Sequence, residues 1–453
     1  MSYVFHRNLA TPLPVIVRGE GNELIAEDGR RYLDACGGAA VSCLGHDHPA
    51  VRAAIKDQVD RLAFVHTARF TNQPAEDLAE FLVTRAPPGT GRGRMMYLGS
   101  GSEAMEAALK LARQYYLERG EPERQHIIAR TPSYHGNTLG ALATGGHESR
   151  RSPYAPMLMD VHHVRAPYPY RLQEPGESPE AFAQRLAQEL EDIIQSLGPE
   201  RVMAFVVEPV VGASLGSQPP PPGYFARVRE ICDAHGVLLI ADEVMCGMGR
   251  TGSLYALEQE ASAQGAVCAD ITTLAKGLAA GYQPLAAVLA RESVVQAVAE
   301  GSGILLNGHT YMAHAITTAA ALVVHRVIEA DDLLMNVRAR GAQLEAGLRD
   351  RFMAHPHVGD IRGRGLFFSV ELVADLRSKT PFPSRAGVAM AVREAALALG
   401  VLTYPAQGCV DGINGDHVLL APSYTSSTAQ IDRIVDVLKA ALDQVLASKR
   451  HAS

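Results

Sequence analysis

The strongest constraint on this chain is a repeated alternation. From about residue 50 onward, short apolar runs with strand character are separated by amphipathic stretches with helical spacing. Runs apolar at nearly every position suit strands covered on both faces, and a helix between successive strands returns the chain in the same direction. The pattern predicts a parallel sheet with helices on both sides. The strand candidates are residues 94–98, 126–129, 203–207, 237–241, 271–274 and 284–290, with helices over 102–118 and 178–197 among the connections. Ahead of them, residues 15–34 alternate between turn formers at Gly21-Asn22 and Asp28-Gly29, which predicts a small antiparallel meander. Past residue 330 the pattern changes to a long helix (333–355), a strand (366–372), a helix (384–399) and a strand (417–420). The expected division is therefore an N-terminal segment, 1–55, packing with a small α+β C-terminal domain, 329–453, beside one large domain, 56–328. The stiff run Gln218-Pro219-Pro220-Pro221-Pro222-Gly223 reads as a surface loop. No internal repeat is visible.

Composition narrows the function classes. With 453 residues, 47% of them apolar and 20% charged, the chain has ample surface to bury. Its 42 basic and 49 acidic residues leave a net charge of −7, too mild and of the wrong sign for a dedicated nucleic-acid or anionic-membrane surface. Small molecules are the expected partners. Six cysteines in so long a chain make no disulfide framework and no C-x2-C zinc pair, so no metal site is expected. Reduced thiols, no apolar leader and no membrane-length apolar run place the protein in the cytoplasm.

In parallel α/β sheets ligands bind beyond the carboxyl ends of the strands. Three apolar runs end in ionisable groups: Glu208-Pro209, Asp242-Glu243 and Lys276-Gly277. A lysine desolvated at such an end has a lowered pKa and more free amine to attack a carbonyl, which makes Lys276 a candidate Schiff-base residue. Helix capping or pairing with an acid is the ordinary alternative. Asp242, 34 residues earlier, could pair with the cationic nitrogen of a pyridine ring, or could equally be an N-cap. Between a strand and a helix lies Leu98-Gly99-Ser100-Gly101-Ser102-Glu103-Ala104, where small residues and free helix N–H groups suit a phosphate or merely a connecting turn. It is neither a dinucleotide G-x-G-x-x-G, because Ala104 fills the last place, nor a Walker loop. Tyr134, in Tyr134-His135-Gly136, could stack on a planar ring or pack in its loop.

Taken together, Gly99-Ser100-Gly101-Ser102-Glu103-Ala104, Tyr134-His135-Gly136-Asn137-Thr138, Asp242-Glu243-Val244, Leu274-Ala275-Lys276-Gly277 and Arg362-Gly363-Arg364-Gly365-Leu366 occur in the order and spacing of class III pyridoxal-phosphate aminotransferases. The chain resembles that family over nearly its whole length. The resemblance implies an α/β protein of fold type I that binds pyridoxal 5'-phosphate. It implies that Lys276 forms the Schiff base, Asp242 partners the pyridine nitrogen and Tyr134 stacks on the ring, with Gly101 and Ser102 on the phosphate and His135, Glu208 and Met245 around the cofactor. Thr310, in Gly308-His309-Thr310-Tyr311, matches the threonine that the family sends to the neighbouring subunit's phosphate, which implies a homodimer.

Departures from the family refine the expectation. The γ-amino and ornithine branches carry a glutamate where this chain has Ala213 and a glutamine where it has Met245. The segment Asp242-Glu243-Val244-Met245-Cys246-Gly247-Met248-Gly249-Arg250-Thr251-Gly252 is instead similar to the amine:pyruvate and β-alanine:pyruvate branch. That branch has a mobile arginine at the place of Gly412 and often a tryptophan near Ala40, so this pocket should be roomier and its substrate carboxylate held by another cation. Arg69 and Arg151 are the candidates. The implied activity is an ω-aminotransferase that moves an amino group from a primary amine or ω-amino acid to a keto acid such as pyruvate or 2-oxoglutarate by a ping-pong route. A decarboxylase, racemase or aminomutase would use the same site, and a metabolite-binding homologue without catalysis is the reading outside enzymes.

Overall fold

A computed structural model describes residues 3–262 and 265–450. Its centre is a seven-stranded sheet running from edge to edge as Arg94–Leu98, Ala286–Ala290, Ile271–Leu274, Leu238–Asp242, Val202–Val207, His126–Thr131 and His162–Arg165. Val202–Val207 and Leu238–Asp242 are buried at every position, as strands covered on both faces must be. Each of these strands pairs in parallel with both of its neighbours. Ala286–Ala290 alone runs against both of its own neighbours, Ile271–Leu274 and Arg94–Leu98, so the sheet is mixed but mostly parallel.

The two-residue period of the strands sorts their side chains onto two faces. Ile127, Ala129, Ala204, Val206 and Ile240 pack with the helix Gly101–Glu118, through Ala104, Ala108, Leu111 and Ala112. On the opposite face Ile128, Phe205, Val207 and Leu239 pack with Pro179–Leu197 and Tyr224–His235. Ser178 caps the first of these helices by accepting from the Ala181 N–H at 3.1 Å, which starts it one residue later than expected.

The N-terminal meander has strands Ile16–Glu20, Glu23–Ala26 and Arg31–Asp34, and Val401–Leu402 adds to it in parallel. Segments from near both ends of the chain therefore share one four-stranded sheet. A further antiparallel sheet joins Val358–Gly363, Phe368–Asp375, Asp416–Leu420 and Tyr404–Gln407. Leu333–Phe352, Val388–Ala398 and Thr428–Arg450 pack around it in one apolar core that also takes Leu33, Leu44 and Val51 from the N-terminal segment.

Several boundaries differ from expectation for local reasons. The helix expected over 384–399 starts only at Val388, because Gly387 turns left-handed at φ +53° and ends a short 3₁₀ turn at Ser384–Ala386. The proline run does not lie wholly on the surface: Pro221 is buried, and its carbonyl accepts from the Tyr224 N–H at 3.2 Å where the next helix begins. The cysteines are unpaired, five of the six buried. Among the described residues no helix is long and apolar enough to cross a membrane.

Candidate active site

Because the strands ending at Val207, Asp242 and Leu274 are parallel neighbours, the residues at their carboxyl ends share one edge of the sheet. Glu208, Asp242 and Lys276 meet there in a cavity of about 500 Å³. Gly101, Ser102, Tyr134, His135 and Met245 line the same cavity. Of the residues expected from sequence, Thr310 does not line it. It is exposed, in the segment between the helices Glu292–Glu300 and Ala315–Ala330.

The Asp242 carboxylate is fixed by three groups. One oxygen lies 2.8 Å from Nδ1 of His135, whose ring is fully buried; the other accepts from the Val244 N–H at 3.0 Å and the Thr273 hydroxyl at 3.3 Å. Glu208 joins two loops, accepting from the Tyr134 N–H at 3.1 Å and the Gly212 N–H at 2.8 Å. Burial holds its carboxyl above the usual range, opposed by the nearby His135. Lys276 sits in the left-handed region at φ +50°. Burial lowers the pKa of its ammonium below the ordinary lysine value, against the pull of Asp242 and Glu208. Among the described residues its Nζ has no hydrogen-bond or ion-pair partner.

The turn is held in the manner of a capping box, shifted one residue back on its second bond: the Ser100 hydroxyl accepts from the Glu103 N–H at 3.3 Å, and the Glu103 carboxylate accepts from the Gly99 N–H at 2.7 Å. That reciprocity satisfies two donors and leaves the amides of Gly101 and Ser102 at the start of an 18-residue helix, beside the cavity. A Cβ on Gly101 would stand 2.9 Å from Val244, so glycine is required for the close approach. Ser102 Oγ accepts from the Asn137 N–H at 2.9 Å and so ties the cradle to the Tyr134 loop.

The departures noted in the sequence are neighbours in space. Ala40, Ala213 and Met245 belong to one buried apolar cluster with Val210, Cys246 and Phe367. Small and apolar groups thus gather where the branch this chain resembles often has a tryptophan and the γ-amino and ornithine branches have a glutamate and a glutamine. Of the two arginines proposed from sequence, Arg69 is exposed, and Arg151 has its Nε buried without a partner. Arg150, which sequence reasoning passed over, is the one placed over the Tyr134 ring, 4.5 Å from guanidinium carbon to ring centre. The only signal for it was the pair Arg150-Arg151 in a four-residue helix, Glu148–Arg151, whose phase decides which one lies over Tyr134. Val41 and Gln283 also line the cavity without having been anticipated.

Comparison with known proteins agrees with this geometry. The family model described as aminotransferase class-III matches residues 4–442. An uncharacterized aminotransferase of Schizosaccharomyces pombe is 42% identical over 448 residues, covering 99% of this chain and 96% of its own. The ω-transaminase of Pseudomonas jessenii, solved in complex with PMP, superposes with a TM-score of 0.88 at 32% identity, covering 96% of this chain and 93% of that one. A thermostable (S)-enantioselective ω-transaminase from Thermomicrobium roseum gives the same TM-score at 35% identity, with the same coverage of both chains. With a family match over nearly the whole length and a strand-end lysine, aspartate and anion cradle in one cavity, the chain belongs to the class III aminotransferases, pyridoxal-phosphate enzymes of fold type I.

Proposed function

We propose that this protein is an ω-aminotransferase that moves an amino group from a primary amine or ω-amino acid to a keto acid such as pyruvate or 2-oxoglutarate in two alternating half-reactions. The observation that carries this reading is the meeting of Lys276, Asp242 and the Gly101 cradle in one cavity whose lining also includes the apolar side chains of Val41, Met245 and Leu285. The residues present fit pyridoxal phosphate: an unpaired amine of lowered pKa, a fixed carboxylate, free helix amides and an aromatic face surround one cavity. When bound, the cofactor supplies a carbonyl for amines and a ring that accepts electrons when a C–H bond next to nitrogen is broken.

The chain's own groups divide the remaining work. The Gly101 and Ser102 amides would hold the phosphate, with the helix dipole favouring its charge. Tyr134 would flank the ring, and Asp242 would keep the ring nitrogen protonated while His135 fixes the carboxylate's orientation. Glu208 holds the Tyr134 backbone in place, and Met245 closes one wall. Lys276 Nζ would anchor the cofactor. It would also carry the proton from the substrate carbon to the cofactor carbon that bears the transferred nitrogen, a task suited to an amine made less basic by burial. In this reading the protein is a cytoplasmic homodimer in which Thr310 of one subunit reaches the other subunit's phosphate, and no nucleic acid or membrane takes part. The segment 1–55 and residues 329–453 form the small-domain side, and 56–328 the cofactor domain.

The test is to mix the holoenzyme with a panel of primary amines, then with pyruvate or 2-oxoglutarate, and follow the cofactor absorbance and the products. An amine should convert the cofactor to its amino form and a keto acid should restore it. Decarboxylation, racemisation or amino-group migration with no transfer between molecules would contradict the proposal.

A further inference from the structure

A substrate carboxylate in a partly buried site needs a cation, and Gly412 supplies none. The structure shows why no side chain stands there. Loop 408–415 is closed on itself: the Gly408 N–H donates to Gly415 at 2.8 Å, the Gly412 N–H to Gly408 at 2.8 Å and the Val410 N–H to Asn414 at 3.0 Å. The Asp411 carboxylate accepts from the Ile413 N–H at 2.9 Å and the Asn414 N–H at 2.6 Å. The loop also clasps the short helix Glu148–Arg151. The Ser149 N–H donates to the Gly412 carbonyl at 3.1 Å, and His147 Nε2 lies 2.9 Å from the Gln407 carbonyl. Gly412 is left-handed at φ +82°, and a Cβ there would stand 2.5 Å from the Glu148 nitrogen.

The helix that fills this place brings its own cation. Arg150 stands 4.5 Å over the ring of Tyr134, which lines the cavity. Its charge acts on both Tyr134 and Lys276. No carboxylate among the described residues forms an ion pair with it, which leaves its fork of donors open to a ligand. Arg7, from the exposed N-terminal segment, acts on Tyr134 more weakly, and the charge of Arg151 falls on His163.

Resting on the aminotransferase reading, we infer that Arg150, delivered over Tyr134 by the turn that loop 408–415 clasps, is the residue that receives the substrate's carboxylate. The preferred acceptor is therefore a keto acid rather than a carboxylate-free aldehyde. Arg150 determines specificity and takes no part in the proton transfer at Lys276.

The experiment uses holoenzyme bearing Arg150→Ala, Arg150→Lys or Gly412→Ala, with Arg7→Ala and Arg69→Ala as comparisons. Two quantities are read: kcat/KM for pyruvate against propanal, and the Kd of the unreactive carboxylate propionate from its effect on the cofactor absorbance. Loss of a charge-assisted bidentate contact corresponds to about a 10–150-fold effect. Arg150→Ala should weaken propionate binding by about that factor and lower kcat/KM at least tenfold more for pyruvate than for propanal. Arg150→Lys should recover part of the difference, and Gly412→Ala, which displaces the turn, should reproduce it. Equal losses on both acceptors would mean that Arg150 merely props Tyr134, and would overturn the inference. So would unchanged propionate binding in Arg150→Ala, or the larger effect appearing in Arg7→Ala or Arg69→Ala. Failure of the aminotransferase reading looks different: wild-type enzyme would transfer no amino group between any pair, while propionate binding would still report on Arg150.

Discussion

Replacing Asp242 by asparagine separates holding the cofactor from activating it. The carboxylate ends a strand buried at every position and faces donors on both oxygens: His135 Nδ1 at 2.8 Å on one, the Val244 N–H and Thr273 hydroxyl on the other. An amide of the same shape has one acceptor oxygen and one NH₂, so it keeps the Val244 and Thr273 bonds only by turning its NH₂ toward His135, whose Nδ1 must then give up its proton. It also carries no charge to favour a protonated ring nitrogen. Removing one member of a buried charge pair costs about 3–5 kcal/mol, which at about 1.4 kcal/mol per decade is roughly a 10²–10⁴-fold loss in rate. The assay is the single-turnover amine half-reaction, followed by cofactor absorbance beside a measurement of bound cofactor per chain. Asp242→Asn should purify with its cofactor, since the cradle at Gly101 and Ser102 is untouched, yet react slower by that factor. A half-reaction within fivefold of wild type would refute the assignment of Asp242 to the ring nitrogen.

Other consequences are equally direct. Burial raises the Glu243 carboxyl from 4.5 to about 7, although it accepts from the Ala256 and Leu257 N–H groups at 2.6 and 2.9 Å. The folded state therefore holds this proton more tightly than the unfolded chain, so its contribution to stability is complete below pH 4.5 and is lost as pH rises through about 7. The corresponding change is about 3 kcal/mol. Urea unfolding at pH 5 and pH 8 should show wild type losing more stability than Glu243→Gln, and parallel losses would contradict this. Ser102→Ala leaves the Asn137 N–H without its acceptor beside the cradle and should weaken cofactor binding about tenfold, read by titrating apoenzyme; unchanged affinity would remove Ser102 from the phosphate site. Phe205→Ala empties a fully buried position between the sheet and its covering helices, and should cost about 3–5 kcal/mol in urea unfolding with little change in the half-reaction rates of the surviving fold.

What the sequence disclosed, and what it withheld, follows from how local each signal is. Val202–Val207 and Leu238–Asp242 were legible because strands buried on both faces must be apolar throughout, and Asp242 and Lys276 were legible as the polar residues that break such runs. His162–Arg165 was not: it is an edge strand pairing only with His126–Thr131, and its sequence, HHVR, carries no apolar run. The reversed direction of Ala286–Ala290 was equally hidden, since hydropathy does not encode polarity of the chain. Val401–Leu402 is too short to stand out and exists as a strand only because Arg31–Asp34 lies beside it. Departures at Ala40, Ala213 and Met245 could be read one by one, but their gathering into a single buried apolar cluster required the fold. The placing of Arg150 is the least local feature of all. It depends on the phase of a four-residue helix and on residue 412 having no side chain, two facts separated by more than 250 positions.

The claim on which the rest depends is that Lys276 is the amine that binds the cofactor. Its most direct measurement is borohydride reduction of the purified holoenzyme followed by peptide mass mapping. The protein should be yellow, lose its colour on reduction and carry the reduced cofactor on the peptide containing Lys276, with Lys276→Ala inactive in transamination yet still able to hold pyridoxal phosphate non-covalently. Label on a different lysine, or full transamination by Lys276→Ala, would contradict it.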